Sequence, residues 1–179
     1  MAHAQAAPGI KNAIRAGIRS IDHGIYLDDE GIGLMLEHGT WLVPTLVAPR
    51  GVIDAADAGA AIPDASVAKA REVIEVHRAS FAKAVAAGVR IAMGTDSGVT
   101  PHGNNLRELA LMVEGGMTPM QAMEATTRSA AALMGLQDEL RTLEPGKRAD
   151  LVVVDGDPLD VATLADRIEG VYKDGVRVV

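Results

Sequence analysis

The chain has 179 residues, a formal net charge of −7, no cysteine and no basic block. These features exclude a disulfide framework and a thiolate metal site, and they argue against a phosphate-tracking nucleic-acid surface. Nearly half of the residues are apolar but only Trp41, Phe81, Tyr26 and Tyr172 are aromatic, so the core must be built from Ala, Val, Ile, Leu and Met.

Taken in order, Pro8 to Ala16 places Ile10, Ala13, Ile14 and Gly17 at helical spacing. Ile18 to Asp22 reads as a short strand that ends at His23 and Gly24. Asp28 is placed to cap a helix that buries Ile32, Met35 and Leu36, with Gly39 as its terminator. Trp41-Leu42-Val43 reads as the next strand, and Pro44 marks its end. Residues 45 to 65 are rich in Ala, Gly, Pro and Asp, and are expected to be a loop. Ser66 then opens a long helix with Val67, Ala70, Ile74, His77, Phe81 and Ala84 on one face, closed by Gly88.

Val89 to Met93 is expected as another strand, leading into Gly94-Thr95-Asp96. A helix opens at Asn104 or Asn105 with Leu106, Leu109, Ala110 and Val113 inward. Thr118-Pro119-Met120-Gln121 is a capping-box pattern, and the helix it starts runs to about Leu133 and stops at Gly135. The rhythm then changes. Ala149 to Val154 reads as a strand, and Asp174-Gly175 between Val171-Tyr172-Lys173 and Val176 to Val179 is a two-residue hairpin signal. The expected organisation is an α/β unit over residues 1–142 followed by a small β segment over 143–179.

Three polar residues stand at the ends of predicted strands: His3, His23 and Asp96. In a parallel α/β fold the C-terminal strand ends converge on one face. Two imidazoles and a carboxylate could meet there although they are 20 and 73 residues apart in sequence. Together they make an N/O ligand set suited to a catalytic metal with open coordination positions. His77, on the apolar face of its helix, reads as a buried structural histidine. His38, before Gly39, reads as a partner of the helix C-terminal dipole.

His3 in MAHA, His23 in SIDHG and Asp96 in GTDSG resemble the metal ligands of strands five, six and eight in the amidohydrolase superfamily. LEPGKRADLVVVDGDPLD and VYKDGVRV are similar to that superfamily's composite β domain, PGKRADLVV being the most specific stretch. TPHGNNLRELALMVEGGMTPMQAMEATTRSAAALMGL resembles the imidazolonepropionase-related and prolidase-like branch. The resemblance implies the C-terminal half of a (β/α)8 TIM-type barrel, strands five to eight, followed by a small β module. It implies one or two divalent ions, zinc first, with manganese, iron and cobalt also suited to these donors. His3 and His23 are implied as ligands of one metal, and Asp96 as ligand of the other and as the catalytic proton acceptor. The implied reaction is metal-assisted hydrolysis of a C–N bond in a small amide or dipeptide.

Tyr26 and His102 lie on loops that follow strand ends. Either is a substrate contact, or a packing residue for Tyr26 and a solvated loop residue for His102; Arg50 is a weaker candidate for a substrate carboxylate. The family's first-strand His-x-His pair and its strand-four lysine have no counterpart here. The chain is therefore expected to form a homo-oligomer or to be completed by a missing N-terminal half. The alternatives are a catalytically incomplete remnant acting as an interaction module, and an incomplete reading of a longer gene. No membrane or nucleic-acid partner is expected, because no apolar run approaches the roughly 20 residues that span a bilayer and no basic patch exists. With no signal-peptide pattern at Met1, a cytoplasmic location is the default expectation.

Overall fold

The computed structural model describes residues 1–140 and 142–179. Its first part alternates strand and helix: β1 (Ala2–Ala4), α1 (Ala7–Arg15), β2 (Ser20–His23), α2 (Asp29–His38) and β3 (Trp41–Val43). The three strands pair in parallel in the order β1-β2-β3. Leu42 makes one further parallel bridge to Ile91, through Leu42 N–H to the Arg90 carbonyl at 2.8 Å and Ala92 N–H to the Leu42 carbonyl at 3.0 Å.

The strand expected over Val89 to Met93 is thus reduced to a single bridge. β3 is only three residues long and ends at Pro44, so it offers little edge to pair with. Met93 N–H instead donates to the Ala125 carbonyl at 3.0 Å.

Register separates the two faces of this sheet. Ala2 lies opposite Ile21, and Ile21 opposite Leu42; His3 lies opposite Asp22, and Asp22 opposite Val43. Because side chains alternate along a strand, Ile21 and Leu42 share one face while His3, Asp22 and Val43 share the other. The first face is covered by helices. Ile10 and Ile14 of α1, Met35 of α2, and Phe81, Leu109 and Met112 from later helices are all buried there in one core cluster. Burying each such side chain contributes roughly 1.5–3 kcal/mol. The second face, with a histidine and an aspartate on it, is left to line a cleft.

Local signals act where they are expected. The Asp28 carboxylate accepts from Gly31 N–H at 2.8 Å and caps α2, which Gly39 ends in the left-handed conformation at φ 63°. Thr118 and Gln121 form a reciprocal capping box at the start of α6 (Pro119–Glu124). Gly88 ends α4 (Asp64–Ala87), which starts two residues before Ser66.

Two further expectations are corrected. Residues 45 to 65 are not a loop throughout: α3 (Val47–Asp57) forms there. Its first turn has no local side-chain cap, and its free N–H groups are satisfied by Glu108 from α5 (Arg107–Glu114), a contact that composition cannot reveal. The core face of α5 includes the expected Leu109, fully buried, with Leu106 and Val113 packed partly buried against the core, and adds Glu108 and Met112. The helix expected from Thr118 to Leu133 is interrupted: a π-helical turn (Ala125–Ser129) lies between α6 and α7 (Ala130–Met134). The Ala125 carbonyl is the acceptor for Met93 N–H, so the widened turn sits where the helix meets the fourth strand segment.

The C-terminal residues form an antiparallel sheet, β4 (Leu151–Val154), β5 (Ile168–Lys173) and β6 (Val176–Arg177). Asp174 and Gly175 both take positive φ, 50° and 79°, as a primed hairpin turn demands. Val161 and Leu164, before β5, are buried in the same core cluster as α5 and α6 residues. Among the described residues no helix is long and apolar enough to cross a membrane.

Candidate metal centre

The polar face of the parallel sheet opens into a cleft of ≈ 570 Å³ that includes His3, Asp22, His23, Thr45 and Asp96. His3 comes from the middle of β1, and His23 from the last position of β2. Thr45 follows Pro44 at the end of β3, and Asp96 follows the fourth segment. Three of the four non-glycine residues with positive φ in the described chain stand here: His23 at 76°, Thr45 at 52° and Asp96 at 51°. Such conformations cost free energy and persist where the surroundings over-determine them. At His23 the left-handed turn breaks the strand alternation. Its side chain therefore joins the face of Asp22 instead of pointing into the core.

The result is a close pair of imidazoles. His3 Nδ1 and His23 Nε2 lie 2.9 Å apart, with ring centroids at 5.1 Å. The other nitrogen of His23, Nδ1, is 2.7 Å from Thr45 Oγ1. The backbone of His23 is held as well: His77 Nε2 donates to its carbonyl at 2.9 Å, and Ser80 Oγ donates to the Ile25 carbonyl at 2.9 Å. His77 is buried, as its helical position predicts, and burial pushes its imidazole down to about 4. Burial also lowers the pKa of His23, against the pull of Asp96 and Asp22, with His3 adding to the lowering. Asp22 moves up, again chiefly through burial, with His3 and His23 opposing the shift and Asp96 adding to it. Burial therefore favours the neutral, ligating form of the His23 imidazole.

Two imidazole nitrogens bound to one tetrahedral zinc at about 2.0–2.1 Å stand roughly 3.3 Å apart. The His3 and His23 nitrogens are within half an ångström of that spacing at 2.9 Å. Thr45 meanwhile supplies the outer-shell partner that ligating histidines almost always have. This pair fits a divalent ion. Asp96 lines the same cleft, but among the described residues no three His, Cys, Asp or Glu side chains gather closely enough to hold an ion together.

The remaining expected site residues lie elsewhere. Tyr26 is half-buried and does not line the cleft; its ring carries Lys69 Nζ at 5.9 Å from the centroid. His102 is exposed on the loop after Asp96. Arg50 lies on α3, beside Ile74 and Leu111 in a groove outside the cleft.

Sequence reasoning missed Asp22, Thr45 and Glu108. Asp22 had a signal, since parallel pairing of the two predicted strands sets it beside His3. Thr45 had one too, as the residue after the predicted end of the third strand. Glu108 had none beyond its place one turn before Met112.

The chain matches the family described as "Amidohydrolase family" over residues 1–178. The chain belongs to the amidohydrolase family. Among the relatives of this amidohydrolase are ochratoxinase of Aspergillus niger, 37% identical over 163 residues, covering 89% of this chain and 33% of that protein. Imidazolonepropionase of Rhizorhabdus wittichii is 35% identical over 152 residues, covering 82% and 32%. The crystal structure of a Xaa-Pro dipeptidase with methionine bound in its active site superposes with a TM-score of 0.90 at 40% identity, covering 98% of this chain and 43% of the other. The amidohydrolase chain thus spans about a third of the curated relatives it matches and somewhat under half of that solved chain.

Proposed function

We propose that this amidohydrolase is the metal-binding C-terminal half of a (β/α)8 barrel with its small β module, and that it hydrolyses C–N bonds of small amides or dipeptides. The observation that carries the reading is the His3–His23 pair, two imidazole nitrogens 2.9 Å apart in a cleft at the strand ends. The amidohydrolase relatives, with an ochratoxinase, an imidazolonepropionase and a Xaa-Pro dipeptidase among them, support the C–N class.

His3 and His23 hold a divalent ion, zinc first. When bound, such an ion polarises a carbonyl and acidifies water. Asp96, in the same cleft, accepts a proton from the attacking water and delivers it to the leaving nitrogen as the C–N bond breaks. Water oxygen becomes part of the new carboxylate, and the amine departs neutral or protonated. Tyr26 and His102 stand on loops that follow strand ends but outside the cleft lining, so a contact with the bound amide would need those loops to move towards it. Two imidazoles leave coordination positions to be filled. Asp96, in the same cleft, is assigned as a ligand of a second ion, and the positions left over fall to water, to another copy of the chain or to further polypeptide.

The test measures metal content per chain and release of amine from an Xaa-Pro dipeptide and from a simple amide. The parent chain is compared with His3→Ala and His23→Ala. Stoichiometric zinc that is lost in both variants, with turnover lost alongside it, is the expected result. A metal-free, inactive assembly overturns the reading and leaves an interaction module.

A further inference from the structure

The loop that carries Thr45 is gripped from a distant helix. Glu108 is fully buried on α5, and each of its oxygens accepts one backbone N–H: Leu46 to Oε1 and Val47 to Oε2, both at 2.8 Å. These are the opening N–H groups of α3, a helix with no side-chain cap of its own. Two acceptor oxygens on one carboxyl match the two free N–H groups there, and those N–H groups partly offset the burial that raises the Glu108 carboxyl. Immediately before them stands Thr45, buried, β-branched and in the left-handed region at φ 52°. Its carbonyl opens the same turn by accepting Ala48 N–H at 3.0 Å. Its hydroxyl touches His23 Nδ1.

From this chain of contacts we infer that Glu108 is a positioning residue for His23: by clamping the first turn of α3 it holds Thr45 in its left-handed conformation, and Thr45 Oγ1 in turn settles which ring nitrogen of His23 faces His3. Glu108 is absent from the cleft lining, and its hydrogen-bond partners are Leu46 and Val47, the two residues after Thr45, so it acts through this turn. His77 complements it by fixing the His23 carbonyl, so the ring and the backbone of one residue are held from two different helices. The inference deepens the metal-site reading and rests on it for the choice of His23 as a ligand.

The experiment uses the full chain without metal and with zinc. Long-range proton–nitrogen NMR reads the His23 tautomer in the metal-free protein, and calorimetry reads zinc affinity. The variants are Glu108→Gln, which replaces one acceptor oxygen by a donor amide; Glu108→Asp, which keeps the charge and retracts it; and Thr45→Val, which removes the hydroxyl without touching α5. Leu109→Ala, next to Glu108 and equally buried, is the control for plain destabilisation. The expected result is a mixed His23 tautomer and 10–100-fold weaker zinc binding in Glu108→Gln and Thr45→Val. Glu108→Asp should be intermediate and Leu109→Ala like the parent. Parent-like tautomer and affinity in Glu108→Gln, or an equal change in Leu109→Ala, overturns the inference. Should Glu108→Gln and Glu108→Asp not fold, a parent-like tautomer in Thr45→Val overturns it by itself. Failure of the metal reading looks different: His23→Ala binds zinc as the parent does, while the tautomer measurement still reports on the clamp.

Discussion

Replacing Glu108 by Gln should change stability in a way that depends on pH, with a predictable sign. Burial pushes the Glu108 carboxyl up from 4.5 to about 7, against the pull of the Leu46 and Val47 N–H groups. A carboxyl raised in the folded state keeps its proton where the unfolded chain has already lost it. The unfolded state then binds fewer protons, so this contribution is fully present below pH 4.5 and is lost as pH rises through 7. Two and a half pH units at about 1.4 kcal/mol each amount to ~3.5 kcal/mol. Glutamine does not titrate. It also sets a donor amide against a buried N–H, a mismatch that costs roughly 1–3 kcal/mol at any pH. The gap between Glu108→Gln and the parent should therefore be widest near pH 4.5 and shrink by about 3 kcal/mol towards pH 7.5. Urea unfolding followed by the fluorescence of Trp41, the sole tryptophan and a buried residue of β3, reads this gap at each pH. Taking differences between variant and parent cancels the contributions of Asp22, His23 and His77, which titrate in both. A gap that is constant, or that widens with pH, refutes the reasoning. It would mean that the N-terminus of α3 keeps the carboxyl ionised despite burial.

Phe81→Ala should remove the largest fully buried side chain and cost about 3–5 kcal/mol in the same unfolding assay, with an unchanged urea slope. Thr118→Ala should lose one bond of the capping box at α6, the one its hydroxyl accepts from Gln121 N–H, and cost about 1 kcal/mol, while Gln121→Ala should lose only the bond from Thr118 N–H and cost no more. Gly94→Ala should be disruptive although Gly94 has ordinary φ, because its Cβ would overlap Val43 Cγ1. Relieving that overlap should cost about 1–3 kcal/mol and displace Asp96, two residues on, so that amide hydrolysis falls further than stability does.

Much of the fold is legible in short stretches. Asp28 and Gly39 frame α2, Thr118 and Gln121 open α6, Gly88 closes α4, and Asp174-Gly175 turns the last hairpin. Each of these depends on contacts within a few residues, so the residue types alone carry the information. The strand-end positions of His23 and Asp96 are legible for the same reason, each being followed closely by glycine after an apolar run. The failures share a different physics. α3 forms where composition suggests a loop, because its cap lies 61 residues away on Glu108. The π turn begins at Ala125, whose carbonyl accepts Met93 N–H across the fold.

By itself, then, the sequence determined the alternation of strands and helices, the switch to a β segment after Gly135, and the candidacy of His3, His23 and Asp96. Local hydrogen bonds and side-chain periodicity suffice for all of that. Only the tertiary structure decided how those residues meet. It brought His3 and His23 to 2.9 Å, set Asp96 in the same cleft but outside a three-ligand cluster, and added Asp22, Thr45 and His77 around His23. The reason is register and backbone handedness. Parallel pairing sets Asp22 beside His3, and a left-handed turn at His23 sends its ring to the polar face. Neither can be read from the residues until the strands are paired.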